Sequence, residues 1–253
     1  MRLRNHILAA GLFLGSAGFV AYAQTPAEPL KEAQRLTRVA QTAEQQNRPD
    51  DAIKAYETIA LIARSSPPMA AGALLRAGNI YMATGRFDKA ANSFRGAIAI
   101  NPKSAEAHNS LGESLGELKQ YQAALKAFQT AVNLDGSLVR ARYNMGVTYD
   151  RLGQLKYAEF VYRILIREHP DFPVAYDSLA VTLSKAGRAR EAIALHQKAI
   201  SLNPNDPSFY YNAALSYLML GDVKNAQEQK RQVEKLDPAM AEHLAVMIAR
   251  RQK

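Results

Sequence analysis

The feature that most restricts the fold of this chain is a small residue that recurs at a fixed interval. An alanine returns every 34 residues from Ala90 to Ala226, and an earlier copy lies 38 residues before Ala90. The repeated positions are Ala52, Ala90, Ala124, Ala158, Ala192 and Ala226. A period of this length is typical of a two-helix unit that buries its faces only against neighbouring units. The interval therefore predicts an all-helical array.

Other positions of the period support the same interpretation. Twelve residues before each alanine stands a second small residue, which would let two antiparallel helices approach closely. These residues are Ala40, Gly78, Gly112, Gly146, Ala180 and Ala214. Five residues before the alanine stands glycine or asparagine, which tolerate the left-handed conformation at a helix end, with Lys119 as the exception. Proline twelve residues after most of the alanines would stop the second helix.

Apolar residues fill the rest of each period at helical spacing, as at Leu111, Leu115 and Leu118. With this pattern the chain resembles the tetratricopeptide repeat family. Within one unit the resemblance depends on Gly112, Leu115, Tyr121, Ala124, Phe128 and Ala131. It implies an all-α fold, a right-handed α-solenoid of six helix-turn-helix units with a C-terminal capping helix. The expected bounds are a linker at 24–32, units at 33–70, 71–104, 105–138, 139–172, 173–206 and 207–240, and a cap at 241–253.

The first 23 residues have the three parts of a secretory signal peptide. Arg2 and Arg4 begin the chain, residues 7–20 are uncharged and largely apolar, and Ala21-Tyr22-Ala23 suits a signal peptidase. We expect cleavage before Gln24 and a periplasmic location. The alternative is an uncleaved segment that anchors the chain in the membrane, facing the periplasm.

Composition and motifs predict no enzyme, cofactor or metal. The absence of cysteine excludes disulfides, thiolate zinc sites and lipid attachment through an N-terminal cysteine. The string from Gly112 to Gly116 matches the hydrolase pattern G-x-S-x-G, but it falls within a predicted helix, where that chemistry does not operate. The repeat register predicts that His108 and His196 fill the space of aromatic residues in sister units.

A stacked array of this kind offers a concave groove lined mainly by the first helix of each unit. Asparagine can bind a peptide backbone, tyrosine adds a rigid contact with a polar tip, and arginine pairs with carboxylates. The resemblance implies that the groove contains the partner-binding residues Arg76, Asn79, Asn109, Glu113, Arg140, Tyr143, Asn144, Tyr211 and Asn212. The residues that bind acidic C-termini in one family subtype are matched only in part, which disfavours a chaperone-tail adaptor.

These observations predict a non-catalytic scaffold of the bacterial cell envelope that binds a peptide segment or helix of a partner protein. The layout of a signal followed by six repeats is similar to pilus-assembly and secretin-assembly repeat proteins. The alternative is a regulatory or targeting subunit for a periplasmic cell-wall enzyme. The formal charge is +9, but the basic residues are scattered, so we expect no nucleic-acid partner. We expect membrane contact only through an uncleaved signal segment.

Overall fold

The computed structural model describes residues 27–251, so the predicted signal peptide lies outside the described residues. Within residues 27–251 the chain forms thirteen α-helices that make up a helical solenoid. The helices are α1 (Ala27–Gln45), α2 (Pro49–Ile62), α3 (Pro67–Ala83), α4 (Phe87–Ile100), α5 (Ala105–Glu117), α6 (Tyr121–Leu134), α7 (Val139–Arg151), α8 (Leu155–Glu168), α9 (Pro173–Lys185), α10 (Ala189–Leu202), α11 (Pro207–Met219), α12 (Val223–Leu236) and α13 (Pro238–Arg251). The first twelve form six successive pairs. We call the odd-numbered members inner helices and the even-numbered members outer helices.

The turn within each pair has the predicted left-handed residue. Gly85, Gly153, Gly187 and Gly221 have φ between 70° and 80°, and Asn47 has φ 54°. Lys119 adopts the same conformation with φ 58°, although its side chain makes that conformation costly. The turn geometry is therefore kept even where the sequence departs from the pattern.

Small residues lie where the two helices of a pair cross. The six repeated alanines have no exposed surface. At three of the opposing positions a glycine lies against an aromatic ring: a β-carbon on Gly78, Gly112 or Gly146 would lie 2.5–2.6 Å from the ring of Phe94, Phe128 or Tyr162, respectively. Contacts this short do not occur between real atoms, so these glycines set how closely the helices pack.

Contacts between pairs give the array a concave side. From α3 to α11, each inner helix contacts the next inner helix, and α11 contacts α13. Outer helices contact only inner helices, or α13 at the end of the array. Because the inner helices approach one another and the outer helices do not, the inner helices line the concave face. None of the helices between residues 27 and 251 is long and apolar enough to cross a membrane.

The two ends differ from the predicted bounds. The expected linker at 24–32 is wrong from Ala27 onward, because α1 begins there and Pro29 is tolerated in its first turn. The second pair begins at Pro67 and not at residue 71, since prolines also suit the first turn of α3. The capping helix begins at Pro238 and buries Leu244 and Ile248 against the last pair.

Candidate partner-binding groove

The centre of the concave face is a hydrogen-bonded network between α5 and α7. Asn144 Nδ2 donates to Glu113 Oε1 at 2.9 Å and to Asn109 Oδ1 at 3.4 Å. Asn109 Nδ2 donates to the same Glu113 oxygen at 2.9 Å, and Arg140 Nε lies 3.2 Å from it. Four predicted site residues therefore meet, but they bind one another. Asn109 is fully buried, so its prediction as a partner contact is wrong: it holds Glu113 and Asn144 in place.

The same kind of link continues along the concave face towards the C-terminus. Tyr143 Oη lies 3.2 Å from Ser178 Oγ, and Asn212 Nδ2 donates to Asp177 Oδ2 at 2.8 Å. At the last joint Tyr211 Oη lies 2.6 Å from His243 Nδ1 of the capping helix, and the two rings stack. These predicted site residues are thus used to join successive inner helices. Their polar groups form a fixed floor beneath any partner.

A buried polar cluster links the same helices beneath the groove. His196 Nδ1 donates to Asp177 Oδ1 at 2.7 Å, and His196 Nε2 lies 3.1 Å from Ser216 Oγ, which in turn lies 2.8 Å from Ser184 Oγ. The prediction that His196 only fills space is therefore wrong. All four residues are buried, and Ser216 lies within α11, so this Ser-His-Asp sequence offers a substrate no exposed serine. Register reasoning missed the cluster because its members occupy different positions of the repeat.

The other serine with a catalytic-looking sequence context is also part of the packing. Ser114 lies within α5, is completely buried, and donates to the Ser110 carbonyl oxygen at 2.9 Å. Among residues 27–251 there is no group of three or more His, Cys, Asp or Glu residues placed to hold a metal ion. What the concave face offers chemically is hydrogen bonding and charge.

Two predicted residues near the N-terminus keep their polar groups free. Arg76 and Asn79 are exposed on α3, and neither forms a side-chain hydrogen bond or ion pair within residues 27–251. They line a cleft between the first and second pairs together with Glu44. Glu44 is itself engaged, because Tyr56 donates to it at 2.5 Å. Arg76 and Asn79 are thus available to a partner.

A second cleft lies between the third and fourth pairs, beside the central network. It has a volume of about 340 Å³, and Lys119 and Arg151 stand at its wall with Glu113 and Glu117. Lys119 and Arg151 are exposed and form no ion pair among the described residues. The sequence prediction did not include either of them, although their position beside the predicted Glu113 could have indicated them. Arg140 is also exposed and uses only its Nε in the network, which leaves the rest of its guanidinium group free.

Comparisons with known proteins agree with this architecture. A family model described as TPR repeat matches residues 78–119 and 182–221. Two models described as Tetratricopeptide repeat match residues 105–137 and 207–240, and residues 140–171. Together the matches extend over most of the array from residue 78 to residue 240. No curated protein sequence matches the chain.

Solved structures of repeat proteins resemble the chain as well. PilW, described as a widely conserved type IV pilus biogenesis factor, is 26% identical with a TM-score of 0.68, over 81% of this chain and 94% of that chain. MamA is 29% identical with a TM-score of 0.60, over 66% and 95% of the two chains. The pilF protein of Pseudomonas aeruginosa has a TM-score of 0.67 over 87% and 99%, but at 16% identity this likeness shows the fold alone.

Proposed function

Because the chain belongs to the tetratricopeptide repeat family, we propose that it is a non-catalytic scaffold that holds an extended segment or helix of a partner protein on its concave face. One observation carries this proposal. Most polar groups of the groove floor are bonded to one another, while Arg76 and Asn79 project from it with free donors. A fixed floor with a few free groups favours binding, because little side-chain entropy is lost when the partner docks.

The free groups indicate what the partner presents. Arg76, Arg140, Arg151 and Lys119 supply donors and positive charge, and Asn79 supplies an amide that can pair with a peptide backbone. Such a surface suits a segment with backbone carbonyls and carboxylates facing the groove. The partner would lie across the clefts of the second to fourth pairs. Tyr143, Tyr211 and Asn212 would support the floor and not make the main contacts.

We place this scaffold in the bacterial cell envelope, with a role in pilus or secretion-system assembly. The likeness to PilW, at 26% identity over 81% of the chain, supports this assignment. The signal-like residues 1–23 support export to the periplasm. The alternative role, as a targeting subunit for a cell-wall enzyme, gains no support from these comparisons.

Capture of partners from an envelope extract tests the groove. The bait is the purified protein, and the groove variant is Arg76→Ala with Asn79→Ala. The chain offers a matched control, Asn92→Ala with Arg95→Ala, because these residues form an exposed pair of the same types, also three residues apart, on the outer helix α4 of the same unit. Captured proteins are identified by mass spectrometry.

We expect a pilus or secretion component to be retained by the wild-type bait and the control but lost by the groove variant. Loss of two donors should weaken binding by about 1–3 kcal/mol. Equal capture by all three baits would refute the groove assignment. Capture of a cell-wall enzyme, with the same dependence on Arg76 and Asn79, would keep the groove and favour the alternative role.

A further inference from the structure

Two aromatic side chains stand out from the opposite, outer side of the array. Tyr157 and Phe160 on α8 are 61% and 64% exposed. Tyr157 is held in place, because it stacks on Tyr149 with 5.4 Å between ring centroids, and Gln129 Nε2 donates to the Tyr149 hydroxyl at 3.1 Å. Adjacent exposed aromatic residues on a soluble domain indicate a contact surface.

The charges around this pair are not balanced. Every carboxylate side chain of α6, α8 and α10 is ion-paired with arginine: Glu159 with Arg163 and Arg188, Glu168 with Arg142, and Glu191 with Arg188. The other basic residues of these helices include exposed side chains that form no ion pair within residues 27–251. They are Lys126, Lys156, Arg190 and Lys198. The outer side of α6, α8 and α10 therefore carries uncompensated positive charge.

The repeat register brings these groups together. Lys156 precedes Phe160 by four residues and so lies on the same face of α8. Lys126 is 34 residues before Phe160 and occupies the equivalent place on α6. We call Tyr157, Phe160, Lys126 and Lys156 the outer patch.

We propose that the outer patch contacts the surface of an anionic lipid bilayer. Tyrosine and other aromatic residues are favoured where an apolar body meets a polar headgroup region, and clustered lysines are attracted to anionic lipids. An acidic protein is the less favoured occupant, because lysine is depleted at protein interfaces while the arginines of this surface are engaged with glutamates. The inference goes beyond the proposed scaffold function, since the groove on the other side stays open to a partner.

The chain contains no tryptophan, so a single introduced tryptophan reports on its own position. We would place it in the patch as Phe160→Trp and, as a control, at the 51% exposed Val246 of α13 as Val246→Trp. Each full-length variant is titrated with phosphatidylcholine vesicles, either pure or with about one third phosphatidylglycerol, to supply the anionic headgroups of the proposal. The readouts are the emission maximum and quenching by brominated lipid.

We expect Phe160→Trp emission to shift to the blue and to be quenched on the anionic vesicles, with little change for Val246→Trp. Adding Lys126→Gln and Lys156→Gln should reduce the vesicle affinity of the Phe160→Trp variant by about tenfold or more, and salt should weaken binding. No shift at residue 160, or equal shifts at both reporters or on neutral vesicles, would overturn the proposal. Failure of the groove experiment would leave this result unaffected, because the two sets of variants lie on opposite sides.

Discussion

The tight crossing of α3 and α4 can be tested with two glycines of the same helix. In Gly78→Ala the new β-carbon would lie 2.5 Å from Phe94 Cε1, and Phe94 has no exposed surface, so its ring cannot turn away into solvent. In Gly72→Ala the new β-carbon meets nothing within 4 Å. Both changes gain about 1 kcal/mol of helix propensity. Only Gly78→Ala also overpacks the core, at a cost of about 1–3 kcal/mol.

The difference between the two variants isolates the overpacking, because the gain in helix propensity is common to both. We expect Gly72→Ala to be more stable than wild type and Gly78→Ala to be about 1–3 kcal/mol less stable than Gly72→Ala. Urea unfolding followed by far-ultraviolet circular dichroism measures both against wild type. If Gly78→Ala unfolds at the same urea concentration as Gly72→Ala, the close approach of the two helices is not what this glycine provides.

Four further outcomes can be checked. Asn144→Ala removes two hydrogen bonds from the groove floor and should lower the free energy of unfolding by about 1–3 kcal/mol in urea melts. Lys119→Gly relieves a left-handed residue and should raise the same free energy by about 1 kcal/mol. Burial, reinforced by a hydrogen bond to glutamate, raises the pKa of Tyr56 and of Tyr81 to about 12. Their contribution to stability is therefore complete below about pH 10, the unfolded value, and is lost as the pH rises to about 12, and the two Tyr→Phe changes should flatten this loss in melts at alkaline pH. N-terminal sequencing of the exported protein should begin at Gln24, whereas Met1 on a membrane-bound chain would contradict cleavage.

The repeat itself could be predicted because its key positions are steric. A left-handed turn or a crossing without room for a side chain admits few residue types, so Gly85 or Gly146 marks its place in the sequence. Lys119 shows the converse, since the fold holds a residue in a conformation that its own preference disfavours. The ends were less predictable. The bounds of α1 and α3 depend on prolines in first turns, which the pattern of the inner repeats does not include.

The groove residues could be placed on the concave face but not assigned a partner. Asn144 and Arg76 occupy the same position of the repeat, and both residue types can bind a peptide. Their difference depends on what the preceding unit presents. Register alone does not show that Asn144 reaches Asn109, because the hydrogen bond depends on the distance between neighbouring inner helices.

That distance also explains where the groove is open. The floor links of Asn144 to Asn109, Tyr143 to Ser178 and Asn212 to Asp177 all join residues 35 positions apart in successive inner helices. The first unit is four residues longer than this spacing requires, and no Cα atoms of α1 and α3 come within 8 Å of each other. Arg76 therefore has no inner-helix residue before it at the linking distance, and its guanidinium group stays free. The irregular spacing that makes the first unit the weakest match to the repeat is thus the physical reason that the groove can bind at this end.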